Sequence, residues 1–322
     1  MRAEAALLWE CEFLLPSGRR FTPLARAPWA TRDGHHESLE GQPAHMRFLG
    51  GEFACVPFGI GGRPRELLPE WDSPAWDRIN PEPHGHSSNL DWRLVELTPR
   101  EILLRLDYPG GNEVDHLLRR LRVDEHAPAL DLELSIYVRR DTRLPVGLHP
   151  IAKLPWAVER LRISADFDFG LTYPAWVPPG ASRVAAGTRF SRLESVPAIA
   201  GGHVDYSVLP KAAPTEEMLM LCGVRAPIRL DYLDEAAFLR LDWDRGVLPS
   251  CLLWPSDRAL AEPPWNGSFR GLGVEPIAAV FDAAKELTLE ANPLTDAGVP
   301  TALELRVDTP CTIRYRIEAG DA

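Results

Sequence analysis

Cysteine is sparse in this 322-residue chain and poorly placed for chemistry. Its five cysteines, Cys11, Cys55, Cys222, Cys251 and Cys311, are odd in number and scattered, which fits neither a disulfide framework nor a close-spaced zinc ligand set. A reducing compartment, and so a cytoplasmic location, is expected. Long apolar runs are missing too: the stretch through Leu7, Leu8 and Trp9 is far too short for a bilayer, and Met1-Arg2-Ala3-Glu4 does not open like a leader. No membrane association is expected. Positive charge is in deficit, with 35 Lys and Arg against 46 Asp and Glu and a formal charge of -11. General affinity for nucleic acid phosphates therefore has little electrostatic support, although a local basic pocket is compatible with that balance. Internal repeats, low-complexity runs, linkers and protein-partner motifs are absent. Residues 1–322 read as a single domain.

What the chain does have is turn chemistry around strands. It holds 31 Pro, 24 Gly and 10 Trp, with 45% hydrophobic residues, enough for a large core but hostile to long helices. An opening hairpin is expected, with strand from Glu4 to Leu15, a turn at Pro16-Ser17-Gly18 and a second segment at Phe21 to Leu24. Loop is expected from Trp29 to Pro43, which holds two adjacent histidines, and strands near Met46 and from Phe53 to Phe58. Further strands are predicted at Trp92–Leu97, Glu101–Asp107, Asp131–Val138, Leu161–Phe169, Met218–Cys222, Ala237–Trp243, Leu287–Ala291, Ala302–Val307 and Thr312–Ile317. Helical turns are predicted for His116 to Arg122 and Pro276 to Glu286. The sum is an all-β chain: one large, mostly antiparallel sandwich with few short helices.

Four segments place ionisable residues beside Gly or Pro: Gly51 to Arg63, Pro83-His84-Gly85-His86, Gly147-Leu148-His149-Pro150 and Gly273-Val274-Glu275-Pro276. Such residues at strand ends can be aimed by a rigid sheet into a cleft. Their order resembles the aldose 1-epimerase, or galactose mutarotase-like, superfamily over nearly the whole chain: an arginine, a His-Gly segment, a His-Pro segment, an acid in a strand and a Glu-Pro segment. Arg63, His84, His149, Asp205 and Glu275 stand at those positions. Arg65 competes with Arg63, His86 with His84, and Asp231 and Asp234 with Asp205.

The resemblance implies a β-supersandwich with a carbohydrate groove and interconversion of α and β sugar anomers. Glu275 would be the general base and His149 the general acid; His84, Arg63 and Asp205 would bind sugar oxygens. Independently, ring opening requires the anomeric hydroxyl to lose a proton and the ring oxygen to gain one, so two positioned acid–base groups suffice and no metal or nucleotide cofactor is needed. Trp254 is a candidate sugar platform, with Phe58, Trp92 and Trp265 as further aromatic walls, while Met218 and Met220 read as core. A noncatalytic carbohydrate-binding protein and a hexose-6-phosphate 1-epimerase-like enzyme are the alternatives; the latter needs arginine at the groove.

Overall fold

The computed structural model describes residues 1–30, 39, 41–175 and 180–322. His35 and His36, within the expected Trp29–Pro43 loop, lie outside the described residues. Period-two patterning dominates the chain and builds two nine-stranded sheets, with the strand pairings antiparallel. The first runs in the order Arg189–Phe190, Phe169–Thr172, Leu219–Cys222, Ser250–Asp257, Arg270–Ala278, Val146–Leu148, Ala54–Cys55; Ile151–Lys153 also pairs with Arg270–Ala278, and Thr215–Glu216 with Ser250–Asp257. The second contains the long strands Ala237–Trp243, Cys311–Asp321, Ala129–Val138, Val114–Val123 and Glu101–Asp107, ending on Arg93–Leu97. The opening hairpin pairs Phe13 with Phe21.

Two apolar layers explain this architecture. The larger fills the space between the sheets, with Leu134, Ile136, Leu239 and Ile317 from one and Leu221, Leu253, Leu272 and Val274 from the other. The smaller lies on the far face of the first sheet, where Phe53, Cys55, Met220, Leu252 and Ile277 meet covering segments that contribute Trp9, Trp29, Trp71 and Phe281. The first sheet is therefore buried on both faces, and its central strands lack a clean apolar–polar alternation. That is why Ser250–Asp257 and Arg270–Ala278 are inconspicuous in sequence. The second sheet keeps one face in water, where rows of opposite charge cross the strands: Glu101 stands opposite Arg122, Arg122 opposite Asp131, Asp131 opposite Arg316 and Arg316 opposite Asp242.

Four local expectations are corrected. His116 to Arg122 is strand, part of Val114–Val123: Leu117, Arg119 and Leu121 all face inward, and the inward arginine hides the alternation. Its charge is met by a buried network in which Arg119 Nη2 bonds Glu52 Oε2, Arg119 Nη1 donates to Ala6 O at 2.8 Å, and Tyr315 donates to Glu52 Oε1 at 2.9 Å. Pro276 belongs to the strand Arg270–Ala278, held through its pairing with Cys251. The helix there is Lys285–Leu289, which replaces the strand expected at Leu287–Ala291; Lys, Glu and Leu all favour helix. Met46 lies in the short helix Ala44–Arg47, which buries Ala44 and His45.

Candidate active site

The site grows out of the far face of the first sheet. Along Arg270–Ala278, Gly271, Gly273, Glu275 and Ile277 share one face by period two, and cross-strand register sets Leu252 opposite Glu275 and Trp254 opposite Gly273. Glu216 joins the same face opposite Ser256. Gly273 makes room: a Cβ there would overlap Glu275 Oε1 and lie 3.1 Å from Trp254 Cβ. The backbone of Gly273 tolerates alanine, so Gly273→Ala is expected to swing the Glu275 carboxyl aside. Any proton transfer that uses this carboxyl should then slow about tenfold to a hundredfold, as a displacement near 1 Å can do, with little change in thermal unfolding measured in parallel.

His149 follows Val146–Leu148 and is anchored by its N–H to Phe53 O at 2.8 Å. Its ring stacks on Phe53 with centroids 4.6 Å apart, and Nε2 faces Glu275 Oε1 at 3.5 Å. Both side chains are buried. His84 enters from a tight turn in which it takes φ 57° and Gly85 φ 80°; a Cβ on Gly85 would run into Val56 O, so only glycine fits. His84 meets His149 edge to face at 5.2 Å and Phe58 at 5.1 Å. Trp254 approaches His149 at 6.0 Å and donates its Nε1–H to Glu216 Oε1 at 2.6 Å.

Low-dielectric surroundings set the protonation. Burial pulls His149 down to about 3 and His84 well below the ordinary histidine value; neighbouring imidazoles add to both. Burial raises the Glu275 carboxyl well above its usual range, and the nearby Asp282 charge raises it further. Glu216 is lifted to about 7 by burial, against hydrogen bonds from Ser256 and Trp254, and Asp282 is lifted to about 6 by burial. Burial thus favours the uncharged form of each facing group, neutral imidazole and carboxylic acid. Two groups of opposite tendency face to face can exchange and deliver a proton. Among the described residues, no group of three or more His, Cys, Asp or Glu is arranged to hold a metal ion.

Of the residues expected from sequence, His84, His149, Glu275 and Trp254 come together, while Arg63 and Asp205 do not join them. The exposed Arg63 spends its guanidinium on Asp77 Oδ1 at 2.7 Å, Asp72 Oδ1 at 2.6 Å and Ser73 O at 2.9 Å. Asp205 Oδ1 accepts from the N–H and hydroxyl of Ser207, at 2.8 and 2.6 Å, closing a local turn. Asp231 and Asp234 pair with Arg229 and Arg160, and His86 packs on Tyr108. Trp92 is core, its Nε1–H donated to Ser87 O at 2.9 Å. Trp265 stands behind Trp254, with ring centroids 6.1 Å apart. Sequence reasoning passes over Glu216, Asp282, Phe53 and His45. For Glu216 the available signal was a doubled acid, Glu216-Glu217, immediately before the apolar run Met218–Cys222.

No protein-family model matches the sequence, and no match emerged among curated protein sequences. Solved structures do match. An aldose epimerase homologue from C. elegans superposes with a TM-score of 0.64 at 12% identity, covering 99% of this chain and 94% of that one. The Slr1438 protein from Synechocystis gives 0.60 at 12% identity, over 100% and 91% of the two chains. A galactose mutarotase-like protein from Clostridium acetobutylicum gives 0.57 at 11% identity, over 98% and 99%. Full-length superposition at such low identity reports architecture, and that architecture is the galactose mutarotase-like fold.

Proposed function

We propose that this chain is an aldose 1-epimerase-like isomerase that interconverts the α and β anomers of an uncharged sugar. The observation that carries the reading is the His149 Nε2–Glu275 Oε1 approach at 3.5 Å within one buried, aromatic-walled site. The anomeric and ring oxygens of an aldose are bonded to the same carbon, so two adjoining acid–base groups address both. When His149 carries a proton and Glu275 none, Glu275 takes the anomeric proton while His149 protonates the ring oxygen and the ring opens. The pair is then carboxylic acid and neutral imidazole, the form that burial favours. Rotation about the C1–C2 bond presents the other carbonyl face, and closure reverses both transfers.

Glu216, beside Trp254, takes the sugar-hydroxyl role that the resemblance placed on Asp205. Its Oε2 is buried without a partner, a cost of about 1–3 kcal/mol that a bound hydroxyl relieves. Three acids, Glu216, Glu275 and Asp282, adjoin the site, and among the described residues no Lys or Arg pairs with them. An acid-lined site without a basic partner offers nothing to compensate a phosphate, which favours an uncharged sugar over the hexose-phosphate alternative.

The test is to follow a freshly dissolved α-anomer by polarimetry or proton magnetic resonance with the purified protein. Equilibration should accelerate while the final anomer ratio stays fixed; no acceleration with any neutral aldose would leave only a binding protein. The rate at low sugar concentration should rise with pH through about 7, because the raised Glu216 carboxyl is protonated below that value and ionised above it. Glu216→Gln should remove that limb. No limb is expected at the ordinary histidine value, since His149 is depressed to about 3.

A further inference from the structure

The helix Ala44–Arg47 carries a third imidazole into the same site. His45 is 3% exposed, and its ring lies 5.3 Å from that of His84 at 87°, extending the perpendicular contact of His84 with His149 at 5.2 Å and 90°. The hydrogen bonds around this row assign its tautomers. Asn89 Nδ2 donates to Pro83 O at 2.7 Å and Gly85 O at 2.8 Å, so its Oδ1, 2.8 Å from His45 Nδ1, is an acceptor and His45 carries its proton on Nδ1. Gly59 N–H donates to His84 Nδ1 at 3.4 Å, so a neutral His84 carries its proton on Nε2. The two neighbouring rings are thus opposite in character: His84 Nε2 is a donor and His45 Nε2 an acceptor. Among the described residues neither Nε2 is bonded to a protein group, which leaves one donor and one acceptor available to a ligand.

We infer that His45 is a further substrate-binding residue of this site, its Nε2 lone pair accepting the proton of a sugar hydroxyl that itself accepts from His84 Nε2–H. A hydroxyl donates and accepts at a single oxygen. A deoxy position does neither, and an ammonium cannot accept. The row therefore reads one hydroxyl position by chemistry as well as by shape. This rests on the site being a sugar site, as proposed above.

Two measurements test it. Long-range proton–nitrogen correlation on the free protein near neutral pH should show His45 as the Nδ1–H and His84 as the Nε2–H tautomer; the reverse assignment for either ring overturns the inference without reference to activity. Titration calorimetry with D-glucose, D-galactose and their monodeoxy derivatives should show one deoxy position at which the wild-type protein loses about tenfold or more in affinity. In His45→Leu the parent sugar should weaken to the level of that deoxy sugar, with discrimination at the other positions kept. His45→Gln, which retains an acceptor near the Nε2 position, should restore part of the difference, and circular dichroism checks that both variants fold. Discrimination that is the same at every position in wild type and His45→Leu overturns the role of His45 and leaves the sugar site standing. A wild-type protein that binds none of the sugars overturns both readings.

Discussion

Glu275→Gln should slow protein-accelerated anomeric exchange by about 10²–10⁴-fold, the range for loss of a positioned acid–base group, while His84 and Trp254 still bind the sugar. Glutamine keeps the shape of the side chain opposite Leu252 and its approach to His149 Nε2, so the loss reports proton transfer and not packing. His149→Asn should give a loss of similar size. The double variant should be little worse than either single one, because the proposed ring opening needs both groups in one step and removing either disables it. Exchange followed by proton magnetic resonance separates the possibilities. Full activity in Glu275→Gln would sink its assignment as base, and multiplicative losses in the double variant would show that the groups act independently.

The second large effect concerns stability. Arg119 and Glu52 are each 0% exposed and bond one another between the sheets. Burial opposes the guanidinium charge, and Glu52 and Tyr315 more than restore it. Arg119→Met would leave the Glu52 carboxylate enclosed without its partner, at an expected cost of about 3–5 kcal/mol in urea unfolding. Arg119→Met combined with Glu52→Gln should recover most of that loss: no buried charge remains, and the Gln oxygen still accepts from Tyr315. A loss below about 1 kcal/mol for the single variant would mean that the pair is not sealed from water. Because Glu52 adjoins Phe53, the stacking partner of His149, the single variant should also lose activity, and the double variant should regain it with stability.

How much of this was legible beforehand depended on which faces are buried. Ala237–Trp243 and Glu101–Asp107 were readable to the residue because the second sheet shows one face to water, and Leu239 and Leu241 alternate with Arg240 and Asp242. Ser250–Asp257 and Arg270–Ala278 were not, since burial on both sides erases the alternation. Val114–Val123 was misread as helix in part because Arg119 occupies an inward position that only a distant Glu52 makes tolerable. His149 and Glu275 stood out as charges set in apolar, Pro-bounded strand ends. Arg63 had a comparable local pattern, yet its neighbours in space are Asp72 and Asp77, which no pattern around residue 63 specifies.

Composition and periodicity by themselves determined an all-β chain of many short strands punctuated by Pro and Gly, because those preferences act within a few residues along the backbone. The resemblance carried by the Gly-x-His-Pro and Glu-Pro segments marked His149 and Glu275 as a pair. Only the tertiary structure decided which polar groups converge: it joined His45, Glu216 and Asp282 to His84, His149 and Glu275 and set Asp205 and Arg63 apart from them. The scarcity of cysteine and of long apolar runs narrowed the chemistry to side chains of this kind. Bringing them to one face took cross-strand register between segments more than a hundred residues apart, such as Ile277 opposite Gly147, and long-range pairing is a property of the folded whole.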